Sequence, residues 1–147
     1  MESRLRTSAP SSGGGDAMPS LDGRSVLVID DERSTRDVIA AMLRRCGADV
    51  VLASSAAEGH SCVAEHRPDV IVCDIAMPGE DGYSFIQRLR AHEARHSLPR
   101  LPALAVTAFA SAPERQKALH AGFDAHFGKP IDSNALIDTL LQLLRES

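Results

Sequence analysis

The sequence predicts an α/β protein, a doubly wound parallel sheet of (βα)5 build. Three observations lead there. Short apolar runs with β-branched residues alternate with segments whose apolar residues recur at helical spacing, and the alternation repeats five times. Most of the runs are continuously apolar instead of alternating, as in strands covered on both faces. Four of the five runs stop on or just before chemistry-bearing residues: Asp30-Asp31, Asp74, Thr107 and Lys129. The carboxyl ends of strands are where open α/β sheets build ligand sites.

Residues 1–23 stand apart from this pattern. Ser8-Ala9-Pro10-Ser11-Ser12-Gly13-Gly14-Gly15 has no apolar periodicity and reads as a flexible tail or linker, with the folded domain expected over residues 24–147. Ser25-Val26-Leu27-Val28-Ile29 is the first strand. From Glu32 to Cys46, Val38, Ile39, Met42 and Leu43 recur at helical spacing, and Gly47 is a stop. Asp49 to Ala53 is the second strand. Ser54-Ser55 can cap a helix to about His66, which Pro68 ends. Asp69 to Cys73 is the third strand. Gly82 to about Arg95 is helical, with Phe85, Ile86 and Leu89 on one side, and Leu98-Pro99-Arg100-Leu101-Pro102 is a loop. Ala103-Leu104-Ala105-Val106 is the fourth strand. Pro113 suits the first turn of a helix running to Ala121, with Gly122 after it. Asp124 to Phe127 is a short fifth strand, and Asp132 or Ser133 caps a last helix to about Arg145. Some of the shorter strands are expected at partly exposed edges. Right-handed crossovers favour the flavodoxin-like order 2-1-3-4-5. Its switch point gathers Asp30, Asp31 and Asp74 around one crevice.

Composition narrows the function. A chain of 147 residues suits one domain with a sizeable core. Aromatics are 3%, with no Trp and one Tyr, and the net charge is −4; both argue against nucleic-acid binding. Cys46, Cys62 and Cys73 are odd in number, widely spaced and set in apolar elements, so they read as small core hydrophobes and not as a zinc site. No run approaches the ~20 apolar residues of a membrane span, and the N-terminus lacks an apolar signal core. The expected setting is therefore cytoplasmic, with no membrane partner.

Three carboxylates in one cleft repel each other unless a cation is present. All-oxygen ligands with room for water suit a hard ion, Mg²⁺. Lys129 can pair with Asp74 and then with a phosphoryl oxygen, and Thr107 can donate to another. A carboxylate beside a metal and a lysine is arranged for covalent phosphorylation, so Asp74 reads as a phosphoryl acceptor. Taken singly, each residue has a plainer reading: Asp30-Asp31 as a helix cap, Asp74 as a turn acid, Lys129 as a surface lysine. Their joint placement at strand ends is what those readings leave unexplained.

From about Ser25 to Arg145 the sequence resembles the receiver domain of two-component response regulators. The matching stretches are Val26-Leu27-Val28-Ile29-Asp30-Asp31-Glu32, Asp74-Ile75-Ala76-Met77-Pro78-Gly79-Glu80-Asp81-Gly82, Val106-Thr107-Ala108 and Lys129-Pro130. The resemblance implies that Asp74 takes a phosphoryl group from a phosphohistidine of a histidine kinase or phosphotransfer protein. It implies Mg²⁺ (or Mn²⁺) on the side chains of Asp31 and Asp74 and the carbonyl of Ala76, with Asp30 assisting. Thr107 and Lys129 would hold phosphoryl oxygens, small Ala108 would leave the entrance open, and the Lys129–Pro130 bond would be cis. Signalling would pass through the fourth helix, fifth strand and fifth helix to an output protein. The inward-turning aromatic of that face is replaced here by His126, whose imidazole titrates near neutral pH and so raises pH-sensitive output. Two positions that tune phosphoryl loss hold apolar Ala76 and Phe109, which cannot orient an attacking water. They read as an apolar lid over a long-lived phospho-Asp74. In the last helix, Leu136, Ile137, Leu140, Leu141, Leu143 and Leu144 cover an arc of about 160°, against the roughly 100° that one core face needs. The spare width suggests a partner or homodimer face, or equally a helix half-sunk in its own domain.

Aspartyl-phosphate phosphatases use similar parts, but their nucleophile comes from the first strand and their acid pair comes late; here that order is reversed. A flavin-binding module would need a phosphate-cradling loop where this chain carries acids. The chain ends at Ser147 without an effector domain, so the expectation is a stand-alone regulator or a receiver detached from a hybrid histidine kinase. The chemistry would act on the protein's own Asp74, so no enzyme acting on a separate substrate is expected.

Overall fold

The computed structural model describes residues 20–146. Ten elements alternate along them: β1 (Ser25–Ile29), α1 (Arg33–Arg45), β2 (Asp49–Ala53), α2 (Ala56–His66), β3 (Val70–Asp74), α3 (Gly82–Arg95), β4 (Ala103–Thr107), α4 (Ala112–Ala121), β5 (Ala125–Gly128) and α5 (Ser133–Glu146). The strands form one parallel sheet in the order 2-1-3-4-5, as the sequence predicts. β3 sits between β1 and β4 in register Val28↔Val72 and Val72↔Leu104, so Asp74 is carried to the middle of the sheet's carboxyl edge.

Strand alternation sends each run to two cores. Val26, Val28, Val70, Val72, Leu104 and Val106 pack with Ile39 and Leu43 of α1 and with Leu136, Ile137 and Leu140 of α5. Leu27, Ile29, Ile71, Cys73, Ala103 and Ala105 face Phe85, Ile86 and Leu89 of α3 and Ala118 of α4. β3 and β4 are buried throughout. β2 and β5 are the partly exposed edges. The cysteines are free; Cys73 is buried, and Cys46 and Cys62 pack half-buried against the two cores.

Local signals set the boundaries. Ser55, Asp81 and Ser111 accept hydrogen bonds from Glu58, Ser84 and Glu114 N–H and so cap α2, α3 and α4. Asp132 accepts from Asn134 and Ala135 N–H at the start of α5. Pro68 stops α2, and Arg67 before it takes a left-handed conformation at φ 45°.

Three expectations need correction. The flexible segment drawn over residues 1–23 lies outside the described residues for its first nineteen positions. Its last part is folded: Leu21 is fully buried and its N–H donates to Cys46 O at 2.7 Å. An apolar residue after a Gly- and Ser-rich stretch was the missed signal. Val38 shares the helical spacing of α1 but is 54% exposed, because α1 turns Ile39, Ala40 and Leu43 inward. The wide apolar arc of α5 is absorbed by its own domain: Leu136, Ile137, Leu140, Leu143 and Leu144 are buried and Leu141 packs half-buried against them. It leaves no spare apolar face to argue for a homodimer.

Candidate functional site

Four strand ends meet over β3. Asp30 and Asp31 follow β1, Asp74 closes β3, Thr107 closes β4, and Lys129 follows β5. Asp30, Asp74 and Thr107 are buried, at 1, 4 and 6% exposure, while Asp31 is exposed. Backbone hydrogen bonds fix these ends: Asp30 N–H donates to Ala53 O, Ile75 N–H to Val106 O, and Lys129 N–H to Thr107 O at 2.8 Å. The Lys129–Pro130 peptide is cis, as the resemblance implies.

Carboxylate oxygens of Asp30, Asp31 and Asp74 lie within 4.8 Å of one another. Lys129 Nζ stands 3.4 Å from Asp74 Oδ1 and 3.6 Å from Asp30 Oδ2. Asp30 Oδ1 accepts from Glu32 N–H at 2.9 Å, but Asp30 Oδ2 and Asp74 Oδ1 are buried and face only the Lys129 ammonium, at ion-pair distance and without a well-formed hydrogen bond. Burial, reinforced by the neighbouring Asp30 carboxylate, pushes Asp74 up to about 6, although Lys129 pulls the other way. Burial raises Asp30 as well. Two dry, repelling carboxylates that share a single lysine between them fit a hard divalent cation, and the all-oxygen donor set suits Mg²⁺. Thr107 Oγ1 accepts from Phe109 N–H at 3.3 Å, which leaves the hydroxyl proton available to a ligand.

The flanking residues sort differently. Ala108 is exposed and leaves the crevice open. Ala76 is exposed and Phe109 is 75% exposed, so they do not close over Asp74 as the lid reading expects. The turn that carries Phe109 is held by its own N–H, not by its ring. His126 is half-buried on β5 with its Nε2 buried and unpartnered. Burial lowers its pKa, against the opposing pull of Glu114, and so favours the neutral ring.

Two positions were not recognised from sequence. The sequence places Gly82 only at the start of a helix, yet a Cβ there would meet Asp74 O and Ile75 Cα, each at 2.7 Å. Only glycine lets α3 start so close to the acceptor strand. Arg36 of α1 donates to Asp30 O at 2.8 Å and braces the acid pair from behind. Gly82 had a sequence cue in its distance from Asp74; Arg36 had none.

The family model described as the response regulator receiver domain matches residues 26–141. The chain belongs to this family. It is 39% identical over 128 residues to an uncharacterized 14.6 kDa protein in the sodA1 3′ region of Leptolyngbya boryana, covering 85% of this chain and 93% of that one. It is 33% identical over 131 residues to hybrid signal transduction histidine kinase D of Dictyostelium discoideum, covering 86% of this chain but only 8% of that protein. The receiver domain of the Francisella response regulator 1452 superposes with a TM-score of 0.77 at 27% identity, covering 84% of this chain and 98% of that one. The protein is thus a receiver of the kind found in response regulators and hybrid kinases, a phospho-accepting module. Receivers generally use Mg²⁺ and interact with histidine kinases or phosphotransfer proteins, and the acidic cluster here is able to hold such an ion. No described helix is long and apolar enough to cross a membrane.

Proposed function

We propose that this receiver accepts its phosphoryl group on Asp74 from a donor phosphohistidine. A carboxylate oxygen of Asp74 attacks phosphorus, the O–P bond forms as the N–P bond breaks, and the electron pair returns to the donor imidazole. Lys129 then moves its charge from the carboxylate to a phosphoryl oxygen, and the Thr107 hydroxyl donates to another. Asp30, Asp31, Asp74 and the Ala76 carbonyl would hold Mg²⁺ (or Mn²⁺), which when bound offsets the charge on the transferring group. The observation that carries this reading is the Asp74 carboxylate: buried, with its Oδ1 facing only the Lys129 ammonium at 3.4 Å. A carboxylate raised to about 6 is still mostly ionised at neutral pH, as a nucleophile must be.

The chemistry acts on the chain's own Asp74, in a cytoplasmic setting. Output leaves through α4, β5 and α5, with His126 on β5. A receiver detached from a hybrid kinase would run the same chemistry, and the kinship with the Dictyostelium hybrid kinase supports it as a second reading. Apolar Ala76 and Phe109 offer no group to orient water, so phospho-Asp74 is long-lived. The test is intact-mass measurement after incubation with a small phosphodonor and Mg²⁺. Wild type gains one phosphoryl group and keeps it after donor removal for longer than a Phe109→Glu variant does; Asp74→Asn gains none. An unmodified wild type refutes the acceptor role, and equal decay of the two phosphoproteins refutes the long lifetime alone.

A further inference from the structure

Helix α4 is held to the fold by few groups. Ala118 is its one buried residue. Against that slender base stands a contact from α3. Tyr83 Oη donates to Glu114 Oε2 at 2.8 Å, and Lys117 Nζ lies 4.5 Å from the centre of the Tyr83 ring. Glu114 and Lys117 are three apart, so they share a helix face and one tyrosine engages both. Glu114 in turn has its N–H on the Ser111 cap. Burial, with the bond to Glu114 next in weight, pushes the Tyr83 hydroxyl up to about 12, so it remains a donor at every physiological pH.

The other end of Tyr83 is what gives the contact meaning. Its neighbour Gly82 is pressed against the end of the acceptor strand, with Asp74 O and Ile75 Cα each 2.7 Å from where a Cβ would stand. Gly82 N–H donates to Ile75 O at 2.9 Å. Tyr83 therefore starts from a backbone tied to Ile75, next to Asp74, and ends on the first turn of α4. A side chain with two χ angles, fixed at both ends, behaves as a strut.

We propose that Tyr83 is a positioning residue that couples the acceptor loop, residues 75–81, to α4 through Glu114. A shift of that loop on phosphorylation would be passed to α4 as strain on, or loss of, the Tyr83–Glu114 hydrogen bond. This rests on Asp74 being the acceptor. This route runs from α3 to α4 and does not pass through Thr107 or the β4–α4 turn.

Hydrogen exchange of backbone amides tests it, on the full chain, with and without beryllofluoride and Mg²⁺ as a phosphoryl mimic. Tyr83→Phe keeps the ring and the Lys117 contact and removes only the donor. In the resting protein its α4 amides should exchange about tenfold faster, with β1 and β3 unchanged. Glu114→Gln should do less, since an amide oxygen still accepts, and Tyr83→Phe/Glu114→Gln should be no faster than Tyr83→Phe. On loading, the change at α4 seen in wild type should shrink in Tyr83→Phe while the change at Ile75 and Thr107 persists. Unchanged α4 exchange in resting Tyr83→Phe, or acceleration spread evenly over all elements, overturns the coupling. If loading leaves wild-type Ile75 and Thr107 unaffected, the acceptor role of Asp74 falls, while the resting comparison still decides the strut.

Discussion

Asp74 reaches the end of a strand whose five residues are all buried, and its protonation records what that placement costs. Its pKa rises from an ordinary 3.8 to about 6, burial being the larger cause and Asp30 the next. The sign follows. A group whose pKa is raised on folding favours the folded state fully below its unfolded value, and that contribution is lost as pH rises through the folded value. The ionised carboxylate therefore weighs against folding above about pH 6. Asp74→Asn, in EDTA, should raise unfolding stability by about 2–3 kcal/mol at about pH 8, with the gain vanishing near pH 4. Urea unfolding at the two pH values measures it, and an Asn variant no more stable than wild type at the higher pH would contradict the dry-carboxylate account. At this scale the sequence was legible where chemistry is local. Asp30, Asp31, Asp74, Thr107 and Lys129 each end a recognisable run and do converge. Exposure was not legible: Phe109 and Ala76 read as a cover, but apolar character does not say which way a turn residue points. Gly82 read as no more than a helix start, because only the fold brings α3 against the end of β3.

Among the elements, α3 shows how a helix is fixed by partners far away in sequence. Arg90, 14% exposed, donates to Gly122 O at 2.9 Å and Leu101 O at 2.8 Å, and pairs with Glu93 and Asp124. Glu93 also accepts from Leu101 N–H and Asp124 from Ala103 N–H, so one guanidinium fixes the start of β4 and the turn after α4. Removing one partner of such a buried pair leaves the others uncompensated. Arg90→Ala should cost about 3–5 kcal/mol. Arg100 also reaches Asp124 and Gly122 O, but it is 55% exposed, and Arg100→Ala should cost below about 1 kcal/mol. Denaturant unfolding of the two variants checks the contrast, and equal losses would show that burial is not what sets the value of these contacts. Element type and order were readable because periodicity and caps are local. Ser55, Asp81 and Ser111 all cap as their residue types suggest. The Arg90 network was not readable, since its partners lie 32 and 34 positions away. The apolar arc of α5 was open to two readings for a related reason: width alone does not reveal how much of a helix one core takes in, and here a single core takes nearly all of it.

For the whole molecule, topology is what brings distant strand ends into one crevice, and it also sets what surrounds that crevice. The large apolar side chains exposed among the described residues are Val38 and Phe109. Val38 lies on α1 at a groove of about 280 Å³ that it shares with Met42, Lys129, Pro130 and Ile131. Phe109 follows Thr107 on the β4–α4 turn. Val38 thus borders Lys129 and its neighbours from α1, and Phe109 stands two residues after Thr107, on opposite sides of the proposed site. A donor protein that presents a phosphohistidine to Asp74 must cover this rim, and apolar side chains there are suited to its apolar surface. A small phosphodonor needs only the crevice. The two donors should therefore separate on mutation. Val38→Asp should slow transfer from a cognate phosphohistidine protein by about tenfold or more, the loss of one well-packed interface contact. Labelling of Asp74 by a small phosphodonor should be unchanged, because Val38 is not part of the acid cluster and its exposed position makes the substitution harmless to folding. Phosphotransfer followed by mass under both donors decides the matter: a parallel loss with both would mean that Val38 supports the site itself, and no loss with either would move the donor's footprint away from α1.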